Sequence, residues 1–478
     1  MSFQQARYDE PLIQEMTDTR EEETSLEGVL PDWLARKELS IPNIKEFEVA
    51  RHYTRLSQMN FGVDTGIYPL GSCTMKYTPK LGGYIGSTDV ATTTHPLQES
   101  STVQGSLQVM YELQELLKEI GGVDAVSLQP AAGAHGEFTG LLMARAFHED
   151  AGERRDEVVL PDTAHGTNPA SASMMGFRVV EIPSKDGCVD LDALRSAVNK
   201  RTAAFMLTNP NTLGIFENEV LEIAEIVHEE GAILYYDGAN LNAIMGKTTP
   251  GKMNFDIVHF NLHKTFSTPH GGGGPGSGPI GVVPKLRDYL PVPVVSFDGK
   301  KFDLDYDIPK SIGKVRSFYG NFAVLLRAYI YIKMLGSDGL EEVANRSVLN
   351  SNYLKEKLKK HLDMPFKDLR KHEFVLSGAK LKNRGLATRD LAKRLMDFGF
   401  HPPTVYFPHI VEEALMIEPT ETENKQTLDA FADTIIGILQ EDSETIASAP
   451  HNTSVGRVDE VGAARKPILS FKMMDQEE

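Results

Sequence analysis

Seven short apolar runs punctuate the middle of this chain, over residues 125–128, 157–160, 179–182, 204–208, 232–236, 257–260 and 280–283. Stretches with apolar residues at helical spacing alternate with them. One carries Leu107, Met110, Leu113, Leu117 and Ile120 ahead of the first run, and another covers 217–230 between the fourth and fifth. Most of the runs lack the apolar–polar alternation of a half-exposed strand, so they suit strands covered on both faces. Strands that alternate with helices join by crossovers into a mainly parallel sheet. The pattern predicts an α/β fold with a mostly parallel seven-stranded sheet and helices on both faces. It also predicts where a site would lie, because open parallel sheets bind ligands at the carboxyl ends of their strands.

The flanks are different. Residues 1–50 are charged and predict an arm ordered only by lying on something else, and 1–95 as a whole is turn-rich. The sheet pattern occupies 96–320. A helix over 322–335 then leads into a small α/β layer within 321–440. That layer has strands at 372–376, 404–407 and 414–417, a helix at 389–398, and a last helix presenting Leu428, Phe431, Ile435, Ile436 and Leu439. Residues 441–478 form a polar tail with one late apolar cluster, Pro467-Ile468-Leu469, expected to dock on the body or on a partner.

Composition removes several functions. Acidic residues outnumber basic ones 67 to 49, and a net charge of -18 is a poor match for nucleic acid. The most apolar stretch, 324–335, is broken by Arg327 and Lys333, so no membrane span is expected. Two cysteines, Cys73 and Cys188, cannot build a disulfide framework and fit a reducing compartment. With no signal-peptide pattern after Met1, the expected location is the cytoplasm.

Lys264 ends the sixth run in Asn261-Leu262-His263-Lys264-Thr265-Phe266 and enters the glycine-rich stretch 271–278. A lysine so placed suits pyridoxal phosphate chemistry. That cofactor needs a lysine for its aldehyde, a carboxylate facing the pyridine nitrogen, a planar group against the ring and a phosphate cradle. Asp237 closes the fifth run as the carboxylate candidate, although an acid there also serves as a turn former or cap. His165, after the second run, is the planar candidate, with a capping role as its alternative. Gln129–Glu137, with Gly133 and Ala134 at its centre, is a small-residue turn ahead of a helix expected from Phe138, suited to a phosphate. Rival signatures fail. Gly246-Lys247-Thr248 has Leu241 where a nucleotide loop needs its first glycine, no metal-ligand spacing stands out, and no Gly-x-Ser-x-Gly elbow occurs.

These residues lie in longer motifs. Asn261–Phe266 followed by Pro269–Gly276, Ala164–Ala170, Tyr236–Ala243, Leu70–Lys76, Ser317–Asn321 and Met416–Glu421 together resemble the glycine cleavage P-protein family, along nearly the whole chain. The length resembles the lysine-bearing subunit 2 of its split form. The resemblance implies the type I PLP-dependent transferase fold and decarboxylation of glycine with PLP bound covalently at Lys264. It further implies transfer of the aminomethyl group to the lipoyl arm of the H-protein, and a homologous subunit 1 as partner in a heterotetramer. Asn209, after the fourth run, is then expected at the cofactor's phenolic oxygen, and His263 near the site mouth. Another PLP enzyme, such as a desulfurase or aminotransferase, and a non-catalytic scaffold subunit are the competing readings.

Overall fold

The computed structural model describes residues 3–16, 31, 33–34, 42–271, 276–366 and 369–474. Seven strands form the main sheet: β1 (Ala125–Ser127), β2 (Glu157–Pro161), β3 (Arg178–Ile182), β4 (Thr202–Thr208), β5 (Ile233–Gly238), β6 (Ile257–Phe260) and β7 (Ile280–Val282). Their order is β1-β7-β6-β5-β4-β2-β3. Each overlaps one of the seven apolar runs. Every residue of β4, β5 and β6 is buried, as strands covered on both faces require. Only β7 runs against its neighbours, pairing antiparallel with both β6 and β1. The described residues between β6 and β7 make no helical crossover, so the next strand returns in the opposite direction.

Two cores sandwich the sheet. On one face lie α1 (Gln104–Gly121), α4 (Val220–Glu229) and α5 (Phe322–Leu358), which bury Leu113, Ile223 and Leu325 against Phe205, Leu207 and Tyr236. On the other lie α2 (Gly133–Asp150) and α3 (Thr167–Met174), with Leu141 and Ala172 packed on Met206 and Tyr235. Alternation along each strand sends successive residues to opposite cores. Helix α5 runs past the expected end at 335 because Gly336 (φ 63°, ψ -172°) makes a kink after which the helix resumes.

A third core covers the small antiparallel sheet β8 (Phe374–Ser377), β9 (Thr404–Val405) and β10 (Ala414–Ile417), ordered β8-β10-β9. Helices α6 (Thr388–Met396) and α7 (Lys425–Ile438) close it with Leu391, Leu428 and Phe431. At the N-terminus, Gln5 N–H donates to Asn452 O at 2.9 Å and Arg7 to Thr453 O at 2.6 Å, so the described arm lies on the chain's own late segment. Ile468 and Leu469 are exposed rather than docked within this chain. No helix among the described residues is long and apolar enough to cross a membrane.

Candidate active site

Parallel pairing puts Asp237 on β5 beside Thr208 on β4 and His259 on β6. The Asp237 carboxylate is buried and well supplied with donors. Oδ2 accepts from Asn168 Nδ2 at 3.0 Å, Oδ1 accepts the Ala239 N–H at 2.9 Å, and His259 Nε2 lies 3.2 Å from Oδ1. Burial alone would raise its pKa, but His259, the Asn168 bond, Lys264 and His165 together hold it below the usual carboxylate range. The group is ionised. His259 Nε2 also lies 2.9 Å from Asn261 Nδ2, and its Nδ1 meets the Tyr235 hydroxyl at 2.8 Å. Glu137, in the second turn of α2, accepts from Thr167 Oγ1 at 2.7 Å and Ser171 Oγ at 2.8 Å. Burial first, then the charge of Asp237, push Glu137 up to about 7. Glu137, Asp237 and His259 bring ligand-type atoms within 4.8 Å of one another.

Lys264 sits in the turn after β6, 8% exposed, and its Nζ donates to the Ser72 carbonyl at 2.8 Å. That carbonyl belongs to a segment held from both sides. Glu373 Oε2 accepts the Ser72 N–H at 2.7 Å, and Glu418 Oε2 accepts the Thr74 N–H at 2.9 Å. Lys76 pairs with Glu421 at 2.7 Å and donates to Thr265 O at 2.9 Å, next to Lys264. Ser72 and Thr74 have φ of 67° and 39°, in the left-handed region that side chains avoid. A Cβ at Gly71 would fall 2.1 Å from Met416 Cγ, so only glycine lets the segment approach β10 this closely.

Of the other candidates, His165 lies near this group. It is half-buried at the start of α3, with Nδ1 2.8 Å from Thr167 Oγ1 and its ring edge-on to Phe407 at 5.6 Å. Burial and then Lys264 lower its pKa, while Asp237 opposes them, so its surroundings tie it to both. Gly133 and Ala134 form the first turn of α2, which begins five residues before the expected start at Phe138. Their N–H groups therefore have no carbonyl one turn back. A Cβ at Gly133 would lie 2.2 Å from Asn261 Oδ1, and one at Gly278 2.0 Å from Ala132 O, so glycine lets these backbones meet. His263 is pushed down to about 3 by burial first and then by Lys264 and His270, and its Nδ1 accepts the Ser277 N–H at 3.4 Å. Asn209 is a correction. Its Oδ1 accepts the Glu217 N–H at 3.0 Å and its Nδ2 lies 3.6 Å from Met253 Sδ, in the core on the far side from Asp237. Strand alternation explains this: Thr208 pairs with Asp237, so the next residue turns the other way. Residues 272–275 of the glycine-rich stretch lie outside the described residues.

The strand-end reasoning that singled out Asp237 passes over Glu137, His259, Lys76, His372, Glu373 and Glu418. Glu418 obeys the same rule, since it directly follows the apolar run of β10. His259 carries a signal too, as the one polar residue inside β6. Glu373 does not, because its place is set by pairing across the small sheet.

Comparison with known proteins gives this geometry a family. Residues 139–273 match the aminotransferase class-V family, and residues 343–456 match the glycine dehydrogenase C-terminal domain. Among solved structures, glycine decarboxylase (P-protein) of the glycine cleavage system, in inhibitor-bound form, superposes with a TM-score of 0.73. It is 22% identical, and the match covers 87% of this chain and 95% of that one. The glutamate decarboxylase of Lactobacillus brevis follows at 0.67, with 13% identity and coverage of 87% and 96%. The fold is thus that of PLP-dependent enzymes. A "Probable glycine dehydrogenase (decarboxylating) subunit 2" of Thermoplasma volcanium is 59% identical over 475 residues, covering 98% of this chain and 100% of its own length. One of the same name from Pyrococcus abyssi is 57% identical over 491 residues, covering 98% and 97%. With identity that high over essentially full length, the chain belongs to the glycine dehydrogenase (decarboxylating) subunit 2 family.

Proposed function

We propose that this chain is the catalytic subunit that decarboxylates glycine, with PLP held covalently by Lys264. The observation that carries the reading is the joining of Lys264 and an ionised Asp237 in one buried group at the carboxyl ends of β5 and β6. The residues fit the cofactor. Asp237 Oδ2 accepts one hydrogen bond, from Asn168, and has room for a second, which suits a protonated ring nitrogen. The first-turn N–H groups of Gly133 and Ala134 suit a phosphate. The hydroxyls of Thr208 and Ser277 are buried without a partner among the described residues, ready to bond a bound group.

When bound, PLP supplies the electron sink for the carbanion left by loss of the substrate carboxyl. Asp237 keeps the ring nitrogen charged, each pKa unit so gained being worth about 1.4 kcal/mol. The Ser72 carbonyl holds the Lys264 amine in place, and His165 feels the charges of both Lys264 and Asp237. In this reading the aminomethyl carbon is passed to the lipoyl disulfide of the H-protein, whose S–S bond is the oxidant. Subunit 1 is the partner, in keeping with the name that the relatives bear.

The full chain mixed with PLP is expected to show a visible absorbance band of the lysine-bound cofactor, which Lys264→Ala abolishes. A band that survives the substitution sinks the assignment of Lys264. With subunit 1 and lipoylated carrier present, exchange of labelled bicarbonate into glycine tests the substrate, and no exchange rejects glycine.

A further inference from the structure

Glu373 and Glu418 flank the paired ends of β8 and β10, where Phe374 faces Ile417. With His372 they make a cluster that is 0%, 0% and 1% exposed for His372, Glu373 and Glu418 in turn. Their ligand-type atoms lie within 4.8 Å of one another. His372 Nε2 is 3.9 Å from Glu373 Oε1 and 3.8 Å from Glu418 Oε1, too far for hydrogen bonds. Neither ring nitrogen of His372 has a partner among the described residues, and neither has Glu418 Oε1. The other three carboxyl oxygens are all acceptors: Glu373 Oε2 from Ser72 N–H, Glu373 Oε1 from Asn240 Nδ2 at 3.1 Å, and Glu418 Oε2 from Thr74 N–H.

Two ionised carboxylates side by side in a dry site repel each other strongly. The groups facing them are Lys264 from the turn after β6, Lys76 and Cys73 from the segment 70–76, and His372 beside them. Lys76 is already matched by Glu421, and Asp237 draws on Lys264 as well. His372 contributes no charge, since burial and then Lys264 push it down to about 3. Burial drives both Glu373 and Glu418 above the usual carboxylate range, and in so tight a pair the bonds each oxygen already accepts decide which acid holds the proton.

We propose that Glu373 and Glu418 form a carboxyl pair sharing one proton, and that this pair positions the Ser72–Thr74 backbone against Lys264. The proton belongs on Glu418 Oε1, the one oxygen of the four without a donor among the described residues, where it faces the free lone pair of neutral His372. The bonds to Ser72, Thr74 and Asn240 then all survive. The pair keeps one negative charge toward Lys264. Both residues act through the segment, as positioning residues, and the inference rests on the role proposed for Lys264.

The pH dependence of Lys264 labelling by a small amine reagent, read by peptide mass spectrometry on the full chain before PLP is added, tests the pair. A single Glu373→Gln or Glu418→Gln leaves one negative charge, so the labelling midpoint should stay within about half a pH unit. Replacing both removes the charge and should lower the midpoint by about one unit or more. Glu418→Ala should speed hydrogen exchange over 71–76, whereas the glutamine, still an acceptor, should not. A single glutamine that moves the midpoint half as far as the double variant shows two ionised carboxylates and overturns the pair. A stoichiometric divalent cation in the purified chain overturns it as well. If the double variant does not fold, the carboxylic-acid C=O stretch decides: at pH 6 it should be weaker in Glu418→Gln than in the wild type, and no difference overturns the proposal. A missing cofactor band with the labelling pattern intact would reject the function proposed for Lys264 and leave the pair standing.

Discussion

Two buried clusters flank Lys264, and both are made of two carboxyls and one histidine. Glu137, Asp237 and His259 lie at the sheet's carboxyl edge, while His372, Glu373 and Glu418 lie at the edge of the small sheet. All six are nearly inaccessible. Their charge states nevertheless differ. In the first cluster Asn168, Ala239 and His259 all converge on Asp237, so it stays ionised and the proton goes to Glu137. In the second, histidine and carboxyls stand beyond bonding distance, and both acids are pushed up. Burial alone therefore does not decide which acid is charged; donors aimed at one oxygen do.

The sharpest way to break that contrast is to exchange the acids of the first cluster for their amides. Asp237→Asn removes the charge proposed to hold a protonated ring nitrogen. The expected loss in glycine–bicarbonate exchange is about a hundredfold or more, the scale of losing one preorganised electrostatic contact. Glu137→Gln copies a state that is already mostly neutral below pH 7, so its loss should stay below about tenfold. Equal losses in the two variants would show that the proton had been assigned to the wrong acid.

Stability against pH gives the next largest effect. Glu137 and Glu418 both rise from 4.5 to about 7, burial being the main cause. Between those values the folded chain keeps protons that the unfolded chain has released, so these groups make stability fall as pH rises from 4.5 to 7. Each contributes about 3 kcal/mol at most. Glu10 acts with the opposite sign and outside that window: held at about 2, chiefly by Arg55, it loses its contribution only as pH falls below 4.5. Urea midpoints at pH 5 and pH 8 should therefore converge in Glu418→Gln relative to the wild type. A wild-type slope unchanged by the substitution would mean that Glu418 ionises normally.

The same contrast marks what the sequence could show. Most of the seven strands were legible because they are buried on both faces and so appear as apolar runs. The edge strand β3, with Arg178 and Glu181 exposed, was marked only by Val179, Val180 and Ile182. The reversal of β7 was not legible, since an apolar run carries no direction, although the lack of any helical pattern between 260 and 280 hints at it. The start of α2 was hidden by Gly133 and Gly136, poor helix formers that packing overrides. Lys264, His165 and Asp237 were legible as residues at strand ends. Asn209 met the same rule and still faces the opposite core, because a strand end gives a position along the sheet and only pairing gives the side. Glu373 was out of reach altogether. Its neighbours Ser72 and Asn240 are 301 and 133 residues away in the chain.

The smallest expected effect tests the histidines. His259 is bonded on both ring nitrogens, to the Tyr235 hydroxyl and the Asn261 amide, so His259→Leu strands two buried polar groups and takes away one of the three contacts to Asp237. A cost of about 2–4 kcal/mol in denaturant unfolding is expected. His372 is as deeply buried, but neither of its ring nitrogens has a hydrogen bond to lose among the described residues. His372→Leu exchanges an unsatisfied ring for an apolar group of similar size and should change stability by less than about 1 kcal/mol in either direction. Should it cost as much as His259→Leu, then His372 is bonded in solution as firmly as its counterpart. The two clusters would then differ in the position of their proton alone, and no longer in how completely their polar atoms are satisfied.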